Sequence, residues 1–182
     1  AIELLDGVLE PMLDSHAFAV PKALLSARTH RLAGNSAEAE RQYRIVLDQI
    51  APGSDDEGRD VGDIVAALSI AEAHAALGHR AEAATWLGRA RGALSEWTDA
   101  LSGSMLQLDA ALGVLLVIGD EDQALLELDH YLDAPGPWSI EGLARDPRLD
   151  ALRDDPRFAA LQRKHSRRAG APASDLRARN RN

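Results

Sequence analysis

The chain has 182 residues, 46% of them hydrophobic, 27% charged and only 4% aromatic, so Ala and Leu must supply most of any core. Zero Cys excludes disulfide scaffolds, thiolate zinc sites, iron–sulfur clusters and cysteine nucleophiles together. The net charge of −9 is uneven, with +6 on Gln162–Asn182 and −15 on the rest, and so acidic a body argues against nucleic acid as its partner.

The chain opens at Ala1 without Met, which suggests a piece of a longer protein. Leu4, Leu5, Val8, Leu9 and Met12 recur at helical spacing and predict a helix of about three turns, with Pro11 near its end. We read residues 1–16 as a helix left over from a preceding repeat. Pro21 sits where a helix can begin, and Leu24, Leu25 and Leu32 follow up to Gly34-Asn35. Beyond that break, with Ser36 as candidate N-cap, Ala39, Tyr43, Val46, Leu47 and Ile50 define a second stripe. Two helices joined by so short a turn make an antiparallel hairpin.

The pattern returns twice. Val65, Leu68, Ile70, Ala71, Ala75 and Leu77 lead into Gly78, followed by Ala83, Leu87, Ala90 and Leu94; Leu108, Leu112, Leu115 and Leu116 lead into Gly119, followed by Ala124, Leu128, Tyr131 and Leu132. The turn glycines are 44 and 41 residues apart, and each is followed five residues later by Ala and nine later by Tyr or Leu. A small residue there lets the second helix approach the first closely, and the large one fills the space beside it.

These residues resemble the turn and second helix of tetratricopeptide repeats: Gly34-Asn-Ser-Ala-Glu-Ala39-Glu-Arg-Gln-Tyr43, Leu77-Gly-His-Arg-Ala-Glu-Ala83-Ala-Thr-Trp-Leu87 and Gly119-Asp-Glu-Asp-Gln-Ala124-Leu-Leu-Glu-Leu128. The first-helix signatures depart from the pattern: no Trp opens any copy, and Ala71 stands where the family has Gly. The intervals exceed the family's usual repeat, the extra residues falling at Ser54–Gly62 and Ser95–Gly103. The resemblance implies an all-α fold, a right-handed superhelix of three such hairpins over 17–134. Over 135–165, Arg145-Asp-Pro-Arg-Leu149 and Asp154-Asp-Pro-Arg-Phe158 each offer a capping Asp before Pro, and Leu149/Leu152 and Phe158/Leu161 can fold back on the last repeat as short C-terminal capping helices. The run from Trp138 to Phe158 also resembles the C-terminal ends of bacterial regulators in which such repeats follow a serine/threonine kinase, a nucleotide cyclase or a winged-helix domain. The basic segment 166–182 is small, polar and without apolar period, and reads as a flexible tail.

Chemistry-bearing patterns are sparse. Six His are scattered, none in a His-Glu-x-x-His arrangement; His30 and His74 occupy equivalent first-helix places, which favours packing, and His79 falls in a turn. The acidic stretch Ser54–Asp63 lacks the alternating oxygens and closing Glu of a calcium loop and reads as a connector. Asp120-Glu-Asp122 suits the positive end of a helix. No nucleophile elbow, phosphate loop or kinase catalytic loop is present, so we assign no catalytic residue, cofactor or metal.

Binding is the work of stacked hairpins. By the resemblance, first helices line the concave face, which places Leu24, Arg28 and Arg31, then Val65, Leu68 and Glu72, then Leu106, Asp109 and Leu116 there as partner-binding residues, with Leu32, Ala76, Gly113 and Val117 beside them. Two readings stay open: a groove for an amphipathic helix, or leucines buried under the C-terminal helices. Leu24, Ser69 and Leu106 stand where relatives that clamp a terminal carboxylate carry Lys, Asn and Arg, so no such clamp is expected. The expected function is a non-catalytic protein-interaction or regulatory scaffold, the C-terminal part of a bacterial signalling protein, binding a protein, a peptide or its own catalytic domain. The alternative is a ligand-sensing or oligomerising domain of a transcription regulator, in which the basic tail touches phosphates. The apolar run nearest to a span, Leu112–Ile118, falls short of the ~18 residues needed, and the given sequence does not open on the charged-then-apolar pattern of a signal peptide. Lack of Cys fits a reducing cytoplasm, although many exported bacterial proteins share it; a span upstream of Ala1 would place the repeats in the periplasm instead.

Overall fold

The computed structural model describes residues 2–8, 10–14, 19–50, 61–96, 100–133 and 137–169, and most of them are helical. The amino-terminal apolar stripe is divided. Helix α1 covers only Ile2–Asp6, closed by bonds from the Gly7 and Val8 amides to the Glu3 and Leu5 carbonyls, and Pro11 has no N–H with which to continue the ladder. Met12 lies instead in strand β1 (Met12–Asp14), antiparallel to β2 (Ala19–Pro21) with Leu13 opposite Val20. This corrects the expected three-turn helix and adds a small two-stranded sheet to a chain expected to be all-α. His16 lies outside the described residues.

Pro21 then caps α2 (Lys22–Leu32), whose first amide reaches back to the Pro11 carbonyl at 2.8 Å. The first hairpin is α2 with α3 (Ser36–Gln49), the second α4 (Val61–Ala76) with α5 (Arg80–Ser95). The third is α6 (Ala100–Ala110), widened into a π turn over Ala111–Leu115, with α7 (Glu121–Asp133). Asn35, not Ser36, occupies the N-cap of α3. The long connectors are shorter than the spacing suggested, because α4 begins at Val61 and α6 at Ala100; residues 51–60, most of the acidic stretch, lie outside the described residues.

All three turns are built alike. Gly34, Gly78 and Gly119 have φ of 77°, 82° and 77°, a left-handed conformation that costs glycine nothing. Each donates to the carbonyl three residues back, and the next amide donates to the carbonyl five residues back: Asn35 to His30, His79 to His74 and Asp120 to Leu115, each 2.9 Å. These are Schellman ends, which satisfy carbonyls that a helix terminus otherwise leaves open. The expected small-then-large pairs are buried in every copy, Ala39 with Tyr43, Ala83 with Leu87, and Ala124 with Leu128.

Apolar packing runs the length of the chain. One cluster joins β2, α2 and α3 to Ala73 of α4; a second joins α4 and α5 to α6, the π turn and Ala124 of α7; a third joins the last hairpin to the C-terminal segment, with Leu116 packed against both of the latter. That segment holds α8 (Ile140–Leu143), a 3-10 turn (Pro147–Leu152) and α9 (Pro156–Ala169). As expected, Asp146 accepts from the Arg148 amide at 2.9 Å and Asp155 from the Arg157 amide at 2.7 Å, while Leu149, Leu152, Phe158 and Leu161 are buried. Helix α9 runs on to Ala169, so the expected tail from residue 166 begins as helix. None of the described helices is long and apolar enough to cross a membrane.

Candidate functional site

Arg28, Glu72 and Gly113 each stand six residues before a turn glycine, at the same place in the three first helices. The fold brings them together. Arg28 Nε lies 3.0 Å from both Glu72 carboxylate oxygens, and its Nη2 donates to Oε2 at 2.5 Å. A Cβ at Gly113 would run into the Glu72 carboxylate and stand 3.2 Å from Arg28 Nη2, so the glycine gives the pair its room against α6 and its π turn. Equivalent positions in successive hairpins therefore touch.

The pair continues into a network. One helical turn before Gly113, Asp109 accepts from Arg28 Nη2 at 2.8 Å and from Arg148 Nη1 at 3.2 Å. Arg148 in turn donates to Asp146, the cap of the 3-10 turn, at 2.8 Å. On the other flank the Tyr43 hydroxyl donates to Glu72 Oε1 at 3.3 Å. Three hairpins and the C-terminal segment are thus tied by one run of alternating charge, Glu72–Arg28–Asp109–Arg148–Asp146.

The Glu72 side chain is 1% exposed, Arg28 15% and Asp109 25%, so the network deepens from a partly wet rim to a dry end. Burial works against the Arg28 charge, but Asp109 and then Glu72 outweigh it and raise the pKa well above the ordinary value. Burial likewise pushes the Asp109 carboxyl up, and Arg28 and Arg148 overcome it, holding the group below the usual carboxylate range. Asp146 is lowered in the same way, chiefly by Arg148 against burial. Burial and Glu72 raise the Tyr43 hydroxyl.

Of the residues expected to meet a partner, Leu24, Val65, Leu68 and Leu106 are buried in the core, and Leu116 is half-buried between two clusters. Arg28, Glu72 and Asp109 bind one another. Arg31 is half-buried, with Nε shielded from solvent and without a hydrogen-bond partner among the described residues; the neighbouring Leu32 is 51% exposed. Sequence reading missed Arg148, Asp146 and Tyr43 as members of the network. The Asp-Pro-Arg motif carried the signal, but it was read for its cap and leucines, and its Arg was passed over.

The histidines divide. His74 and His79 face each other across the second turn, Nδ1 to Nδ1 3.3 Å. The buried His165 binds Asp129 at 2.7 Å beside Asp133, and Lys164 inserts its ammonium between the two carboxylates, at 2.6 and 3.3 Å. That cluster pins α9 to α7 with a cation of its own. No protein-family model matches the chain, and no curated protein or solved structure matches it either.

Proposed function

We propose that the chain is a non-catalytic interaction module, a right-handed stack of tetratricopeptide-like hairpins within a bacterial signalling protein, and that its partner is an acidic amphipathic helix. The observation that carries this reading is the division of the first-helix face. Its central charges, Arg28, Glu72, Asp109 and Arg148, are paired among themselves, whereas at the α2 end Arg31 keeps an unpaired Nε beside exposed Leu32. Arg31 as a whole is only half-buried, so its positive charge remains open to a partner's carboxylate through a charge-assisted bond. The adjoining leucine supplies the apolar contact that a helix-in-groove partner needs. A basic residue next to an apolar one selects a carboxylate flanked by apolar side chains, in a peptide or in the protein's own catalytic domain.

The test is selection of displayed peptides on the wild-type chain, counter-selected on Arg31→Glu/Leu32→Asp. Acidic amphipathic sequences that bind the wild type and lose at least about tenfold on the variant, a difference of about 1.4 kcal/mol, support the reading. Peptides that bind both proteins equally contradict it.

A further inference from the structure

We propose that His74 and His79 form a binding site for a divalent transition-metal ion of the imidazole-preferring class, with Zn2+ as its first probe. The backbone builds the pair. A Schellman end brings together the side chains of the residues whose carbonyl and amide form its outer bond, normally as an apolar contact. In the second hairpin that bond runs from the His79 amide to the His74 carbonyl at 2.9 Å, and both side chains are imidazoles. The equivalent places hold His30 with Asn35 and Leu115 with Asp120, so only this turn of the three carries the pair.

The ring spacing suits a shared metal ion as well as a direct hydrogen bond between the imidazoles. The two Nδ1 atoms stand 3.3 Å apart with the rings tilted by 49°. Two nitrogens each about 2.0–2.1 Å from a tetrahedral Zn2+ are separated by about 3.3–3.4 Å, which is the spacing found. Both rings are carried on a turn fixed by its glycine, so a small side-chain rotation is enough to turn both Nδ1 atoms toward one ion. His79 is exposed at the mouth of a cleft of about 380 Å³ that Glu40, Arg44 and Leu47 of α3 also line, which leaves the remaining coordination positions open to water or to a partner's side chain. Glu82, in the first turn of α5, lies close enough for its charge to act on His74. Imidazole-rich sites prefer Cu2+ and Ni2+ in the Irving–Williams order, so Cu2+ should bind more tightly than Ni2+ and Ni2+ than Co2+.

The experiment is titration of Zn2+ alone into the full chain, by calorimetry and by amide and imidazole NMR, alongside His74→Ala, His79→Ala and the double variant, with helicity checked by circular dichroism. Both positions are at least partly exposed, so the variants should fold. We expect one ion per chain in the wild type, resonance shifts centred on 74–79, and at least about tenfold weaker binding in each single variant, the smallest loss that changes around a metal ligand generally produce. Wild-type affinity no greater than that of the double variant overturns the proposal. Binding that survives in the double variant and disappears in His165→Ala overturns it too, since it assigns the ion to the Asp129–Asp133–His165 cluster.

Discussion

At the scale of single residues the most constrained position is Gly113, a buried glycine defined by the ion pair that lies where its side chain would go. Alanine is a better helix former than glycine by about 1 kcal/mol, yet at 113 its methyl would displace the Glu72 carboxylate from Arg28. Gly88 and Gly92 lie on α5 with open space where a Cβ would go. Urea denaturation of three alanine variants should therefore split in sign. Gly88→Ala and Gly92→Ala should each stabilise by up to about 1 kcal/mol, and Gly113→Ala should destabilise by about 1–3 kcal/mol, the usual cost of overpacking. A stabilising Gly113→Ala would mean that the ion pair has room to move aside. Gly113 could be aligned with Arg28 and Glu72 from the spacing of the turn glycines alone, but that an Arg, a Glu and the absence of a side chain form one contact depends on how closely the helices approach, which no linear pattern encodes.

At the scale of elements, the hairpins were readable because each carries its own instructions. A left-handed glycine ends the first helix, Ala and then a large residue set the second against it, and both effects are local. The capping turns were readable for the same reason, since Asp before Pro states its own N-terminus. The amino-terminal strands were not: their pairing joins residues 12–14 to 19–21, and this contact overrode a helical spacing that Gly7 and Pro11 had already weakened. The π turn at Ala111–Leu115 was equally silent, its widening lying beside the buried Glu72.

Attachment of the C-terminal segment also carries a pH dependence. Asp109 and Asp146 have folded pKa values below their unfolded value of about 4. Their contribution is thus complete above about pH 4 and is lost as the pH falls through the lower folded values. Melting temperature recorded from neutral pH downward should fall steeply below about pH 4 in the wild type and less steeply in Arg148→Met, where part of the linkage is already gone. Identical acid slopes would show that Arg148 does not hold these carboxylates.

At the scale of the whole molecule, the same network gives the hairpins and the C-terminal segment a common fastening at their first-helix face. Buried ion pairs contribute little net stability compared with well-packed apolar residues, but breaking one side strands the other. Such a network favours one arrangement of hairpins over slipped ones, and the partner-binding surface proposed above is the part of the face it leaves outside, at Arg31 and Leu32.

The measurement that tests this fastening most directly is a double-mutant cycle on Arg28→Met and Glu72→Leu, with stability read from urea denaturation. Arg28→Met alone should cost about 3–5 kcal/mol, because it leaves the Glu72 carboxylate buried without its cation. Adding Glu72→Leu should return a substantial part of that loss, which requires a coupling larger than the cost of Glu72→Leu alone. Additive effects, or a double variant less stable than Arg28→Met, would contradict the account, since Arg28 and Glu72 would then not be holding the hairpins through each other.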